Sequence, residues 1–283
     1  MGYVMRVSDT SPKYKLSTQL ALGWLIFLTV AALIGPWALP HDHETIFWEA
    51  IHSAPDWSQG FFLGTDNLGR DLAARLILGA QISIAVAACA SLVSITIGVI
   101  YGAVSGYLGG RADAILMRIV DTLYALPFVI LVAVLSVIFG RSFVVILLAI
   151  GVTGWLDMAR LVRGQTLSLK KLNFVQSAII YGATPWYIIR YHIMSNIKRP
   201  VLVYLLLGLP RAIVLESFLS FLGLGIQEPM TSWGVLITEG ATQLETAPWM
   251  LLFPGFCLCA TLVSLNLLAD HLQQTPGQHA TIR

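Results

Sequence analysis

Apolar residues gather into six runs, approximately Leu20–Leu39, Ile82–Val104, Ile119–Phe139, Phe143–Leu161, Val201–Leu224 and Trp249–Leu268. At about 1.5 Å per residue, each is long enough to cross about 30 Å of hydrocarbon as a helix. The pattern predicts an all-α, polytopic membrane protein with six transmembrane helices. Two polar stretches separate runs without being simple linkers. Residues 40–81 contain FFLGTDNLGRDLAARLILGA, and residues 223–248 read GLGIQEPMTSWGVLITEGATQLETAP. Both are too patterned in Gly, Pro and Trp for flexible tethers, and Trp57, Trp233 and Trp249 suit a membrane interface. In the second run Gly98, Gly102 and Gly106 recur four apart, a spacing that lets a second backbone approach one helix face.

Composition agrees with a lipid environment: 57% of residues are hydrophobic and only 11% charged. The net charge of +2 gives no reason to expect nucleic acid. Cys89, Cys257 and Cys259 lie inside apolar runs, and their odd number argues against a disulfide framework. Cys257 and Cys259, two apart on a helix, point their thiols apart, which disfavours a metal site. The first run follows a long charged lead and precedes no small-x-small site, so it reads as a retained anchor, not a signal.

Basic residues set the expected orientation. With the N-terminus inside and six crossings, thirteen fall in the cytoplasm: Arg6, Lys13, Lys15, Arg111, Arg118, Arg160, Arg163, Lys170, Lys171, Arg190, Lys198, Arg199 and Arg283. Only Arg70, Arg75 and Arg141 fall outside, and Arg211 lies within a span. The expected order is a cytoplasmic N-terminus (1–19), an anchor (20–39), a periplasmic segment (40–81), a core (82–270) with a cytoplasmic loop (164–198), and a cytoplasmic tail (271–283). Both termini are inside.

The cytoplasmic loop is the most informative stretch, since no Asp or Glu occurs between Asp157 and Glu216. Leu172, Val175 and Ile179 recur at helical spacing, and Gly182 is placed to end that helix. Thr184 before Pro185 reads as an N-cap with proline at the first helical position. The second helix would put Trp186, Ile189 and Ile193 on one face. Such a helix, glycine turn and helix either presents a fixed shape to a cytoplasmic partner or lies as a basic amphipathic element on anionic lipid.

Ionisable residues within the runs need partners. Asp121 follows Arg118 by three and Asp157 precedes Arg160 by three, so local salt bridges are expected. Arg211 and Glu216 are five apart, about 140° around a helix, and do not form a same-face pair. They read either as a polar wall of a translocation path between two subunits or as residues paired to another helix. His41, Asp42, His43 and Glu44 raise a metal reading, although outer loops are often this polar without a ligand.

Here the sequence resembles a known family. QSAIIYG, Gln176 to Gly182, is similar to the Glu-Ala-Ala-x-x-x-Gly signature of bacterial ABC-importer inner-membrane permeases, and HIMSN, His192 to Asn196, stands where that signature ends in His-Ile-Leu-Pro-Asn. LGTDNLGRDLAARLILGAQIS, SGYLGGRADAILMRIVDTLYALPF, WLDMARLVRGQTLSL and ESFLSFLGLGIQEPMTSWG resemble the dipeptide, oligopeptide and nickel permeases in the same order, from about Leu63 to Asp270. The likeness is strongest to the C-type subunit of oligopeptide importers. It implies the type I ABC-importer permease fold, with Phe174, Gln176, Ser177, Ala178 and Gly182 in a coupling helix that docks on a cytoplasmic ATPase. It further implies a second, B-type permease, two ATPase subunits holding ATP and Mg, and a periplasmic peptide-binding protein, with lipid around the spans and no catalysis or cofactor in this chain. Consistently, the chain has no G-x-x-x-x-G-K-[ST] loop to cradle phosphates. Gln176 replaces the signature Glu, Ser177 its first Ala and Ser195 its Pro. The tail LNLLADHLQQTPGQ departs from the usual Gly-Asp-Gly-Leu-Arg-Asp ending, although Asp270 remains. Rival readings are the same role for dipeptides or nickel, or an ion-driven secondary carrier. The carrier would need no docking loop and would usually show inverted repeats and midplane acids, which this sequence lacks.

Overall fold

The computed structural model describes residues 12–274. The N-terminal segment expected at 1–19 and the tail at 271–283 fall partly outside them, as do Arg6 and Arg283. The described residues are helical apart from turns, a short 3₁₀ turn at Trp48–Ala50 and two isolated bridges, Asp56 with Phe61 and Thr65 with Asp71. In order the helices are α1 (Pro12–Ala38), α2 (Leu72–Leu108), α3 (Gly110–Tyr124), α4 (Phe128–Phe139), α5 (Phe143–Lys170), α6 (Asn173–Ile180), α7 (Pro185–Tyr187), α8 (Met194–Phe221), α9 (Trp233–Thr242) and α10 (Trp249–Gln274). A π-helical stretch, Ile188–Ile193, joins α7 to α8, so the chain is helical without a break from Pro185 to Phe221.

Five of the six expected spans are single long helices, and the third is not. The run predicted as one helix over Ile119–Phe139 is broken into α3 and α4, which meet at 77°. The break lies at Pro127, whose backbone is extended (ψ 120°). Proline removes a helical donor and pushes the residue before it out of the α region, so periodicity alone overruns this point. With 12 residues α4 reaches only about 18 Å, so the third run is long enough to span only when α3 and α4 are taken together. α2 begins at Leu72 rather than Ile82, so the segment expected at 40–81 already contains the first turns of a helix.

The centre of the fold is the pair α2 and α5. A Cβ at Gly98 would lie 2.6 Å from the Met158 Cβ, one at Gly102 2.3 Å from the Ala159 carbonyl oxygen, and one at Gly106 2.8 Å from the Arg163 carbonyl oxygen. The glycine stripe is therefore the seat of α5, as its spacing predicted, and backbone meets backbone along it. α8 packs on both helices, and α10 on α8 and α9. α1 lies at the edge, held to α10 by Trp24, whose indole N–H donates to the Thr261 hydroxyl at 3.0 Å.

At one end of the bundle, residues 39–71 and 222–248 form a cap. α9 is too short to cross and plugs the space between α2 and α8. Trp233, expected at an interface, is fully buried, its indole N–H donating to the Leu76 carbonyl at 3.2 Å. Trp57 is exposed, and the Trp249 indole donates to the Thr65 carbonyl at 3.2 Å. At the opposite end, α6, the turn 181–184 and α7 form a hairpin outside the bundle.

Candidate functional site

The hairpin is held by few but well-buried anchors. Val175 of α6 and Ile188, Ile193 and Ile197 of the following helix join Met158 and Val162 of α5 and Ala103 of α2 in one apolar cluster. Burying such side chains contributes about 1.5–3 kcal/mol each, enough to fix a short element to the bundle. Gly182 has φ +83° and ends α6 with its N–H on the Ile179 carbonyl (3.0 Å), while the Ala183 N–H reaches the Ala178 carbonyl (3.0 Å). This is the expected left-handed stop. The Thr184 hydroxyl accepts from the Tyr187 N–H at 3.3 Å, and Pro185 occupies the first turn, so the predicted cap is present.

The expected faces need correcting. Leu172, Ile179 and Trp186 are exposed, and among the predicted stripes only Val175, Ile189 and Ile193 are buried. The π-helical stretch shifts the register after Tyr187, which brings Ile188 inward and leaves Trp186 outside. Phe174, Gln176, Ser177 and Gly182 are exposed and Ala178 is half-buried. Around them Ile180 and Tyr181 are 82% and 89% exposed, and the Tyr187 ring packs on that of Tyr191 at a 38° tilt with centroids 4.8 Å apart. Gln176 also has a local role that spacing does not disclose: its amide donates to the Lys170 carbonyl at the end of α5 (2.7 Å). Lys170 in turn donates to the Tyr107 carbonyl at the end of α2 (2.6 Å).

The ion pairs within the bundle run between helices, not along them. Arg160 pairs with Asp121 at 2.9 Å and Arg211 with Asp157 at 2.8 Å, in place of the local pairs Arg118–Asp121 and Asp157–Arg160. An inter-helix partner satisfies a charge and joins two elements at once. Arg160 also lies over the Tyr124 ring, 4.4 Å from its centroid. Arg211 is midway along α8, where an unpaired charge would cost about 2.5–3.5 kcal/mol or more. It has Asp157 as partner yet remains 62% exposed.

Glu216, the other candidate in this helix, lies inside the bundle. It is fully buried and accepts hydrogen bonds from the hydroxyls of Ser220 (2.8 Å), Ser232 (2.6 Å) and Ser83 (3.3 Å). Ser232 also caps α9, and the Ser83 hydroxyl accepts the Trp233 N–H. Glu216 thus ties α8, α9 and α2 together, and the 140° that separates it from Arg211 points it inward.

The cap holds a network that sequence reasoning missed. Asp66, fully buried, accepts from the Leu68 and Arg70 N–H groups (2.8 and 2.9 Å), from Arg70 Nε (2.7 Å) and from Arg75 Nη1. Arg70 continues to Glu228 (2.9 Å) and Arg75 to Glu239 (2.7 Å), so the two polar segments flanking the bundle are fastened to each other. Burial works against the Arg70 charge, but Glu228 and Asp66 hold its pKa above the ordinary value. Burial raises the Asp71 carboxyl, although the Ala73 N–H it accepts as N-cap of α2 (3.0 Å) pulls the other way. The signal was present as the alternation of acids and arginines in TDNLGRDLAAR, but its partners are 158 and 164 residues away. Of the candidate metal ligands, His41 turns away, 3.0 Å from the Gln59 carbonyl and stacked on Phe61, while His43 contacts Asp42 and Glu44.

Comparison with known proteins adds four findings. The family described as "Binding-protein-dependent transport system inner membrane component" matches residues 94–276. The chain is 47% identical over 249 residues to the "Oligopeptide transport system permease protein OppC" of Haemophilus influenzae, covering 88% of this chain and 79% of that one. It is 43% identical over 252 residues to the "Dipeptide transport system permease protein DppC" of Bacillus subtilis, covering 88% and 78%. Among solved structures, a chain of the MetNI methionine ABC transporter in inward-facing conformations superposes with a TM-score of 0.55 at 14% identity, covering 70% of this chain and 95% of that one. At that identity the likeness speaks for the fold.

Proposed function

The chain belongs to the binding-protein-dependent transport system inner membrane component family, and from that premise we propose that it is the C-type permease subunit of an ATP-driven oligopeptide importer. It forms half of the translocation path, opposite a B-type permease. Two cytoplasmic ATPases hold the ATP and Mg, and a periplasmic binding protein delivers the peptide. The chain lies in a bacterial inner membrane with both termini in the cytoplasm, which puts the hairpin inside and the cap outside.

The observation that carries this reading is the hairpin itself. Val175, Ile188 and Ile193 fix it to α5 and α2, while Ile180, Tyr181 and Trp186 face outward at 82%, 89% and 63% exposure. A rigid body with an uncovered apolar and aromatic surface fits a protein partner better than the lipid surface. Of its basic residues, Lys170 is turned onto Tyr107 and away from any surface contact. Closure of the ATPases would press on α6, and the anchors would pass that displacement to α5 and α8 as one unit.

Reconstitution tests the reading. In liposomes the lone chain is expected to hydrolyse no ATP and carry no peptide, and the five-part complex to carry labelled oligopeptides at the expense of ATP. Peptide uptake by the lone chain on an ion gradient would make it a secondary carrier and overturn the proposal. Orientation is read separately, in a background without the native cysteines. Glu245→Cys is expected to react with an impermeant thiol reagent in intact cells and Ser168→Cys to resist it. The reverse pattern would invert the topology.

A further inference from the structure

A narrow groove of about 50 Å³ opens in the side of the bundle between α2, α5 and α8. Its floor is made of small residues. A Cβ at Gly154 would touch Ser94 at 3.3 Å, and one at Gly208 would come no closer than 3.9 Å to Ser91. Its walls are mainly apolar, and Arg211 is the charged residue lining it. Asp157 takes one of the five guanidinium N–H donors at 2.8 Å. Tyr124 also lies against Arg211, and Tyr204 against Asp157. The two charges are unequally presented: the Arg211 side chain is 62% exposed and that of Asp157 18%. The pair is therefore neutral as a whole, but the surface it offers the groove is cationic.

We propose that Arg211 is a specificity-determining residue that meets the α-carboxylate of a peptide in transit, with Asp157 as the positioning residue that holds the guanidinium in place. The inference rests on the peptide-importer reading above. Three features make a carboxylate the fitting ligand. A planar fork with donors to spare matches a carboxylate's two oxygens. No acidic side chain is among the groove's lining residues, so the guanidinium's remaining donors meet no rival carboxylate there. A cation already compensated by Asp157 binds such a group without trapping it, as a path that must also release its cargo requires. The groove lies on α5 and α8, the helices to which the hairpin anchors transmit, so its width would change as the hairpin moves.

The test compares Arg211→Gln and the doubly neutral Arg211→Gln/Asp157→Asn with wild type, each assembled with unaltered partners. The readouts are uptake of labelled trialanine and of its C-terminal amide at saturating binding protein, with retention of the second permease as control. Both variants are expected to lose about tenfold in uptake of the acid while carrying the amide within about twofold of wild type. Any preference of the binding protein cancels, because it is the same in every arm. Equal losses for acid and amide, or no loss for the acid, would overturn the proposal. Release of the second permease by both variants would also overturn it, by making the pair a contact between subunits. If wild type carries the acid alone, loss of acid uptake with ATP hydrolysis still stimulated by loaded binding protein supports the proposal, and acid uptake at the wild-type rate overturns it. Wild type carrying neither peptide would instead overturn the importer reading itself.

Discussion

The cap and the hairpin sit at opposite ends of the same helices and solve opposite problems. At the centre of the cap the charges are internal: Asp66 and Arg75 are 0% and 2% exposed, and each meets partners from its own chain. In the hairpin the apolar surface is external, with Ile180, Tyr181 and Trp186 uncovered beside a few buried anchors. One end is held together by charges buried within the chain, and the other leaves the outer face of a short, anchored helix open to a partner. The same substitution logic should therefore give different phenotypes at the two ends: failure to fold at the cap, and failure to work at the hairpin.

The largest effect belongs to Asp66→Ala. Removing one partner of a buried pair costs about 3–5 kcal/mol, because the remaining charge stays buried without compensation. Here Arg70 keeps Glu228 and Arg75 keeps Glu239, but both guanidiniums and two backbone N–H groups lose their buried acceptor together, so the low end of that range is expected. Native proteins are stable by about 5–15 kcal/mol, so a large share of that margin goes. Membrane levels and the thermal midpoint in detergent are both expected to fall sharply. Near-normal values would mean that the cap is not the self-contained unit described.

Next comes Gly182→Val. A Cβ there would meet nothing within 4 Å, so the cost comes from φ +83° alone. A β-branched residue in the left-handed region is strained by about 1–2 kcal/mol, small beside the anchors. The chain should reach the membrane at near-normal levels, with the turn and the outward face of α6 displaced. Peptide uptake is expected to vanish and ATPase subunits to uncouple or dissociate, as read by pull-down and labelled-peptide uptake. Normal transport at normal levels would make the hairpin a membrane-surface element.

What was legible in the sequence divides along the same line. Local rules carried the hairpin well, because a glycine stop and a Thr-Pro start act over three or four residues and both are present at 182–185. The glycine stripe on α2 was equally readable, since close approach requires small residues whatever lies opposite. The break at Pro127 was visible as a proline, yet the apolar run concealed it. Ion pairing is the least legible feature: Asp121 and Asp157 choose Arg160 and Arg211 over arginines nearer in sequence. The Asp66 network was missed altogether. Those choices depend on which helices become neighbours, which spacing along one chain does not contain. Glu216 belongs to the same class: its three serine partners come from α2, α8 and the start of α9.

The smallest effect is expected from Gln176→Glu, the change that restores the residue usual in the signature. Within the chain it exchanges a donor for a charge: the Lys170 carbonyl loses the amide at 2.7 Å, and a carboxylate arrives at the negative end of α5. At an exposed position water replaces the lost hydrogen bond, so the loss stays below about 1 kcal/mol, and the unfavourable helix-end term is about 0.3–1 kcal/mol. Lys170 and Lys171 offset part of it. Hydrogen exchange across 173–182 should accelerate less than about tenfold, with no change in membrane level. Toward a partner the same change adds a charge-assisted acceptor, so ATPase retention is expected to equal or exceed wild type. A loss of retention alongside intact exchange protection would mean that the partner's groove is matched to the neutral amide. A collapse of protection would mean that Gln176 supports the hairpin from within, as Asp66 supports the cap, and the contrast between the two ends would fail at that residue.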